Sequence, residues 1–333
     1  MINNGKKIIL SISLVLCLAL VVAVAFWISD LMYAPQNQTG DEEESVDLSE
    51  ILNAIKIDDE LYFPKLGVRN YLIIGVDKYG DVESDLSSQA DFLMVMSFDS
   101  NAGTYTMVSI NRDTMAVVDE ADGFGGHRMV YKQIALSHVY KGSEGVTNRE
   151  KCVNTAKAVS WLLHGMEFDG YMSMTMDAVS ILVDRVGGVD VPVEEDLTSV
   201  DERLVKGETV TMDGELAMKF VRARGGLDDS SNIGRMERQE AFLKEFFAKI
   251  GEAQLESEQL IDIYEDVAPY VYNSAGEDGY EELFYKLSKY KLLESLSLKG
   301  ESKVGRGGYM EFYVDEEHLK EVMVDVFYEK AYK

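Results

Sequence analysis

Hydrophobic and polar positions divide this chain into two regimes. From Ile8 to Ile28 the residues are apolar apart from Ser11 and Ser13, and none is charged. At about 1.5 Å per residue a helix of that length reaches roughly 30 Å, the hydrocarbon thickness of a bilayer. Beyond residue 60 the apolar runs are short. Asn70–Asp77, Asp91–Phe98 and Tyr105–Ile110 are compact apolar stretches that predict buried strands, and the turn-rich Asp99–Gly103 predicts a hairpin between the last two. Cys152, Ala156, Val159 and Leu163 recur at helical spacing, which predicts a helix over about Arg149–Leu163. Thr147-Asn148-Arg149-Glu150 before it has the capping-box pattern. A second helix is predicted over Met176–Val186, a tight turn at Gly187-Gly188, and an extended segment over Val189–Val193. Leu319, Val322, Met323, Val326 and Phe327 give the chain an amphipathic helix near its end, capped by Asp315 and packed on the same domain. Strands mixed with helices of this length predict a layered α-β-α domain of the α/β class, with a central mixed sheet preceded by one N-terminal transmembrane helix.

Charge then assigns the sides. Lys6 and Lys7 precede the apolar segment, while Asp30 and Asp41-Glu42-Glu43-Glu44 follow it. The positive-inside rule places residues 1–7 in the cytoplasm, a transmembrane helix at 8–28, and the remainder outside the cell membrane. A cleaved signal peptide ending near Ala23-Val24-Ala25 is the competing reading. It is disfavoured because the apolar run continues through Phe26, Trp27 and Ile28. Residues 29–60 are acidic and predict a stalk, helical near Leu48–Ile55, with folding from Leu61 to residue 333. The motif-bearing core spans 70–250, and 251–333 is expected as a helical extension. With 59 acidic against 32 basic residues and a net charge of -27, the chain is unsuited to nucleic acid, whose binding requires phosphate neutralisation by Lys and Arg. The two cysteines make no disulfide framework: Cys17 lies in the membrane segment and Cys152 on a buried stripe. The four histidines lack zinc-ligand spacing.

Against that acidity, Arg222, Arg224, Arg235 and Arg238 form a local cationic island. Arginine grips phosphate oxygens through paired N–H donors and keeps its charge. Screening limits the distant carboxylates to a range of roughly 8 Å, so a local anion site is compatible with an acidic protein. Read as a strand, Val221-Arg222-Ala223-Arg224 places both arginines on one side. A helix starting near Asn232 places Arg235, Arg238 and Gln239 on one face.

These residues occur in an order that resembles the LytR-CpsA-Psr family of cell-wall enzymes. The elements are Ile74-Gly75-Val76-Asp77, Asp91, Ser109-Ile110-Asn111-Arg112-Asp113-Thr114, Leu182–Val191, Met212–Ala217, Val221–Arg224 and Gly234–Gln239. The resemblance implies a membrane-anchored phosphotransferase that moves a teichoic acid- or capsule-like glycopolymer from a polyprenyl-pyrophosphate carrier onto peptidoglycan. It implies that Asp77 and Asp91 hold a magnesium ion, with manganese a substitute, and it places Asp91, Arg112, Arg222, Arg224 and Arg235 in catalysis. Gln89, Asn232, Arg238 and Gln239 are expected to bind substrate. It also implies an apolar tunnel for the polyprenyl chain, with Met172, Met174, Met176, Val179 and Leu182 as lining. Leu182–Val191 is expected to be structural, so Asp184 and Asp190 are left outside the site. The chain departs from the family pattern at Gln89, where an arginine is usual, at Asn232, where an aspartate is usual, and at Asn111, where a proline is usual. The first two losses keep a weakly active or non-catalytic polyprenyl-(pyro)phosphate-binding regulator as an alternative, and a pyrophosphate hydrolase is a third reading.

Overall fold

The computed structural model describes residues 53–330 apart from 81–87, 122–125, 140–146, 224–232, 254–256 and 275. In chain order the elements are β1 (Ile55–Ile57), β2 (Glu60–Pro64), β3 (Val68–Val76), β4 (Ala90–Asp99), β5 (Thr104–Ile110), β6 (Met115–Ala121), β7 (His127–Gln133), α1 (Asn148–Leu162), β8 (Gly170–Thr175), α2 (Met176–Arg185), β9 (Val189–Pro192) and β10 (Thr209–Met212). They continue through α3 (Gly214–Arg222), α4 (Ile233–Ala253), α5 (Ser257–Val267), β11 (Val271–Asn273), α6 (Gly276–Lys289), β12 (Lys291–Ser297), β13 (Gly300–Val304), β14 (Met310–Val314), α7 (Glu316–Val322) and β15 (Tyr328–Lys330).

A six-stranded mixed sheet in the order β11-β8-β3-β4-β5-β12 is the centre of the fold. β3, β4 and β5 pair antiparallel in sequence, whereas β8 joins β3 and β12 joins β5 in parallel. Both faces of the sheet are covered, which is why its strands read as unbroken apolar runs. Alternate residues separate cleanly. Tyr71, Ile73, Met94, Met96, Phe98 and Met107 enter one core with Phe220, Phe242 and Phe246 of the helices. Leu72, Ile74, Leu93, Val95, Val108 and Ile110 enter the other with Cys152, Val159, Leu319 and Met323.

The strands predicted at 70–77, 91–98 and 105–110 and the helices predicted at 149–163 and 176–186 are present with boundaries shifted by one or two residues, whereas Ile55, expected at the end of a stalk helix, lies in β1. Thr147 caps α1 through the complete capping box, and Asp315 caps α7 by accepting from Glu317 and His318 N–H groups. Gly187 and Gly188 end α2 with φ of 79° and 88°. Their N–H groups return to the Asp184 and Val183 carbonyls at 3.1 and 3.0 Å, a left-handed stop that glycine makes at little steric cost. Asp184 accepts the Gly214 N–H at 2.7 Å and so holds α2 to α3.

The structure corrects three expectations. Folding begins before Leu61, because Ile55 and Ile57 of β1 are buried in the second core and β1-β2-β15 form a small sheet. The segment after residue 250 is no helical extension, since β11 and β12 supply both edges of the central sheet. Val221-Arg222 lies in helix rather than strand. The Asp213 side chain accepts the Leu216 N–H to start α3, and Leu216, Ala217, Phe220 and Val221 give it a buried helical face. Among the described residues no helix is long and apolar enough to cross a membrane. The predicted membrane segment 8–28 lies outside the described residues.

One buried group links this fold to pH. His138 is 1% exposed and contacts the Thr155 hydroxyl at 3.1 Å. Burial, with the charges of Lys151 and Lys78, pushes it from 6.5 down to about 3. Between those values the unfolded chain binds a proton that the folded protein excludes. Stability therefore rises with pH across this window and falls on acidification, by up to about 1.4 kcal/mol per pH unit from this group. Urea midpoints measured from pH 7 to 4 should decline, and the decline should be shallower in His138→Gln. Parallel slopes for the two proteins would remove His138 as the cause.

Candidate functional site

β3 and β5 run in one direction with β4 returning between them, so the end of β3, the start of β4 and the end of β5 lie at the same edge of the sheet. Asp77 follows β3 directly. Asp91 is set by a register break: Gly75 pairs with Phe92 and Val76 with Ala90, leaving Asp91 as the extra residue of a β-bulge. A bulge re-aims a side chain that regular alternation would send into a core. Gly75 allows the close approach this needs, since a Cβ there would sit 2.8 Å from the Cβ of Phe92.

Arg112 follows β5 on a turn closed by the Thr114 N–H donating to the Asn111 carbonyl at 3.0 Å. The buried Asn111 side chain accepts the Asp113 N–H at 2.9 Å. Asparagine thus supplies by a local hydrogen bond the stiffness that the usual proline would supply by its ring. Arg112 pairs through Nη1 with Asp91 Oδ1 and donates through Nη2 to Gln89 Oε1 at 2.5 Å. Its Nε makes no hydrogen bond and has Asp113 at 3.6 Å. Arg235, in the first turn of α4, approaches the second Asp91 oxygen at 3.8 Å. Asp91, Arg112 and Arg235 side chains are only 12%, 18% and 9% exposed, so their charges are poorly screened. This cluster carries one carboxylate against two guanidinium groups at its centre, with Asp113 beside it.

Arg222 closes α3 beside Asp77, with Nε to Oδ1 at 3.0 Å. It also donates to the Tyr79 hydroxyl at 2.6 Å and lies 5.1 Å from that ring's centre. Two buried side chains of α4 fix its backbone. Gln239 donates to the Val221 carbonyl at 3.2 Å, and Arg238 donates to the Ala223 carbonyl while pairing with Glu195. The last carbonyls of a helix have no partner within it, and α4 supplies partners for α3. Burial lowers the pKa of Arg238.

The structure therefore brings Gln89, Asp91, Arg112 and Arg235 together, and joins Asp77 to Arg222. Arg238, expected at the substrate, has its Nη1 and Nη2 groups on Glu195 and the Ala223 carbonyl, where it positions Arg222. Arg224 and Asn232 lie outside the described residues. Sequence reasoning missed Tyr79, for which proximity to Asp77 was the only signal, and Glu195.

Behind the polar cluster lies an apolar cavity. Met172, Met174, Met176, Val179 and Leu182 all line it, together with Met94, Phe242 and Phe246. Phe92 and Gln239 line both this cavity and a small pocket containing Asp91 and Arg112, so the apolar space meets the charged cluster at those two residues. The Gln239 Oε1 atom is buried there without a hydrogen-bond partner. No group of three or more His, Cys, Asp or Glu able to hold a metal occurs among the described residues. A magnesium ion shared with phosphates needs only one or two carboxylates as protein ligands, and Asp77 and Asp91 at adjoining strand ends offer hard oxygen donors that fit it.

The LytR_cpsA_psr family model matches residues 33–326. The polyisoprenyl-teichoic acid–peptidoglycan teichoic acid transferase TagV of Bacillus subtilis (strain 168) is 27% identical over 255 residues, covering 74% of this chain and 59% of the relative. The chain thus spans less than two thirds of that protein's length. Among solved structures, gbs0355 from Streptococcus agalactiae superposes with a TM-score of 0.63 at 21% identity, over 78% of this chain and 86% of that one. Bacillus subtilis TagV superposes with a TM-score of 0.58 at 22% identity, over 79% and 96%.

Proposed function

The chain belongs to the LytR-CpsA-Psr family, and from that premise we propose that it transfers a glycopolymer from a polyprenyl-pyrophosphate carrier to a hydroxyl of peptidoglycan. The observation that carries this reading is the junction of an apolar cavity with a poorly solvated arginine cluster. A long isoprenoid needs the first, a pyrophosphate needs the second, and one substrate has both. TagV, whose name describes transfer of teichoic acid from a polyisoprenyl carrier to peptidoglycan, supports the same substrate class.

In this mechanism the polyprenyl chain occupies the cavity bordered by Met174 and Val179, and the pyrophosphate lies over Arg112, Arg222 and Arg235. The acceptor oxygen bonds to the glycan-side phosphorus as the bridging P–O bond breaks, giving a glycan phosphodiester and polyprenyl phosphate. The hydroxyl proton ends on the departing phosphate or in water. Charge grows on the departing phosphate, and guanidinium groups already held by Asp91 and Asp77 stabilise it without reorganising. Bound through Asp77 and Asp91, a magnesium ion would neutralise the phosphate oxygens. Gln89 keeps a hydrogen-bonding contact with Arg112 where the family's usual arginine is absent. The segment 8–28 anchors the chain, with the described domain on the outer side of the cell membrane.

The test is release of polyprenyl phosphate from a polyprenyl-pyrophosphoryl glycan by the full chain in detergent micelles, with and without peptidoglycan and Mg²⁺. Acceptor- and metal-dependent release is expected. Binding without release would move the protein to a regulatory role, and release into water regardless of acceptor would make it a hydrolase.

A further inference from the structure

A second space lies beside the phosphate cluster. It is a groove of about 380 Å³ lined by Tyr79, Asp177, Ser180, Glu215, Met218, Lys219 and Arg222. Its walls are the outer faces of α2 and α3. Met176, Val179 and Leu182 of α2 and Val221 of α3 turn to the apolar cavity, whereas Asp177 and Ser180 of α2 and Met218, Lys219 and Arg222 of α3 line the groove. The two chambers therefore back onto opposite sides of the same helix pair. They meet at its end, where Val221 borders one, Arg222 borders the other, and Arg222 holds Asp77.

The lining chemistry selects the occupant. Two cations, Lys219 and Arg222, are offset by two carboxylates, Asp177 and Glu215, so the groove has no excess charge to attract a polyanion. It does offer hydrogen-bond acceptors and donors at several heights. Glu215 is 78% exposed and pairs with Lys219 at 2.8 Å, and the Asp177 carboxylate accepts the Gly80 N–H at 2.5 Å through one oxygen, which leaves lone pairs on the other. Tyr79 is 59% exposed and presents an aromatic ring at the rim, an apolar body with a polar tip. A flat ring beside carboxylates and a hydroxyl suits a ligand with apolar C–H faces and a rim of hydroxyl groups. The volume lies within the range of small-molecule sites.

We infer that this groove is a saccharide subsite, holding an uncharged sugar unit against the outer side of α2 and α3 while the phosphates lie at Arg222. The inference rests on the transfer reaction proposed above and deepens it. Lipid and sugar then reach the reacting phosphorus from opposite sides of one helical wall, and Arg222 is the residue common to both the groove and the phosphates.

The test is calorimetric titration of the full chain in detergent micelles with the tetramer of N-acetylglucosamine. The tetramer should bind, and Glu215→Trp, which fills the groove from an exposed helical position, should weaken it at least tenfold. Lys157→Trp, on an exposed position of α1 across the sheet, should leave it unchanged. Tyr79→Ala should also weaken binding and serves should the first variant fail to fold. No binding, or equal affinity in the wild type and both groove variants, overturns the inference. Polyprenyl pyrophosphate is titrated in parallel. If it binds while the tetramer does not, the subsite fails alone; if neither binds, the transfer reading fails with it. Competition separates the two sources of sugar. Displacement of the tetramer by glycan-bearing lipid but not by bare lipid places the donor's sugar in the groove, and simultaneous binding places the acceptor's there.

Discussion

Replacing Arg112 with alanine is expected to lower polyprenyl phosphate release by about 10²–10³-fold, the range seen when one preorganised donor to a developing anion is removed. Arg112 is the residue through which the cluster is assembled: Nη1 meets Asp91, Nη2 meets Gln89, and Nε faces Asp113. Its loss removes a charge at the phosphates and leaves Asp91 with Arg235 at 3.8 Å. Because these side chains are less than a fifth exposed, the change also removes an incompletely screened ion pair, and stability should fall by about 1–3 kcal/mol. Arg112→Lys should not restore activity, because an ammonium group cannot hold Asp91 and Gln89 from the two ends of a planar fork. Initial rates and thermal unfolding on the same preparations separate the two effects. Near-wild-type rates in folded Arg112→Ala would place the phosphate site elsewhere.

The fold was legible where periodicity and burial agree. β3, β4 and β5 are buried on both faces, so their apolar runs stood out from the flanking polar turns. The α1 capping box and the Gly187-Gly188 stop were legible because each is a local device with its own residue signature. β12 was not, since Lys291–Ser297 is an edge strand with Glu294 and four half-buried positions and lacks a clear apolar pattern. β1 was hidden for a related reason: Ile55 and Ile57 are a minimal alternation inside an acidic stretch. The reading of Val221-Arg222 as strand shows how a few residues support either period, whereas the run from Asp213 to Arg222 supports only a helix.

For the candidate site, residue types and order pointed to phosphate chemistry through the family resemblance, but their division of labour needed the fold. Arg235 and Arg238 are three residues apart on one buried face, and helical spacing gives no ground to separate them. In space Arg235 turns to Asp91, while Arg238 holds the Ala223 carbonyl at the end of α3. The partner of Arg238 is a backbone atom, which carries no sequence signature. The bulge that exposes Asp91 was equally invisible, because it is a property of pairing between strands rather than of either strand.

The apolar cavity leads to the second large effect. Val179→Trp should raise KM for a long-chain polyprenyl-pyrophosphoryl substrate by about 10²-fold or more while leaving a substrate with a very short isoprenoid largely unaffected. Val179 lines the cavity from α2, one turn from Met176 and Leu182, and an indole there occupies space the isoprenoid would fill. Burying one CH₂ group is worth about 0.8 kcal/mol, so excluding a single five-carbon unit forfeits about 4 kcal/mol, part of which the chain recovers by adjusting. The methionines around Val179 soften this loss, since their unbranched side chains shift readily and let the lipid find a partial fit. The arginine cluster is untouched, so chemistry on a short-chain donor measures the site without the cavity. Equal losses on long and short donors would mean that the substitution disturbs the phosphate site instead. No loss on either would mean that the isoprenoid lies elsewhere and that the cavity is packing space between the sheet and its helices.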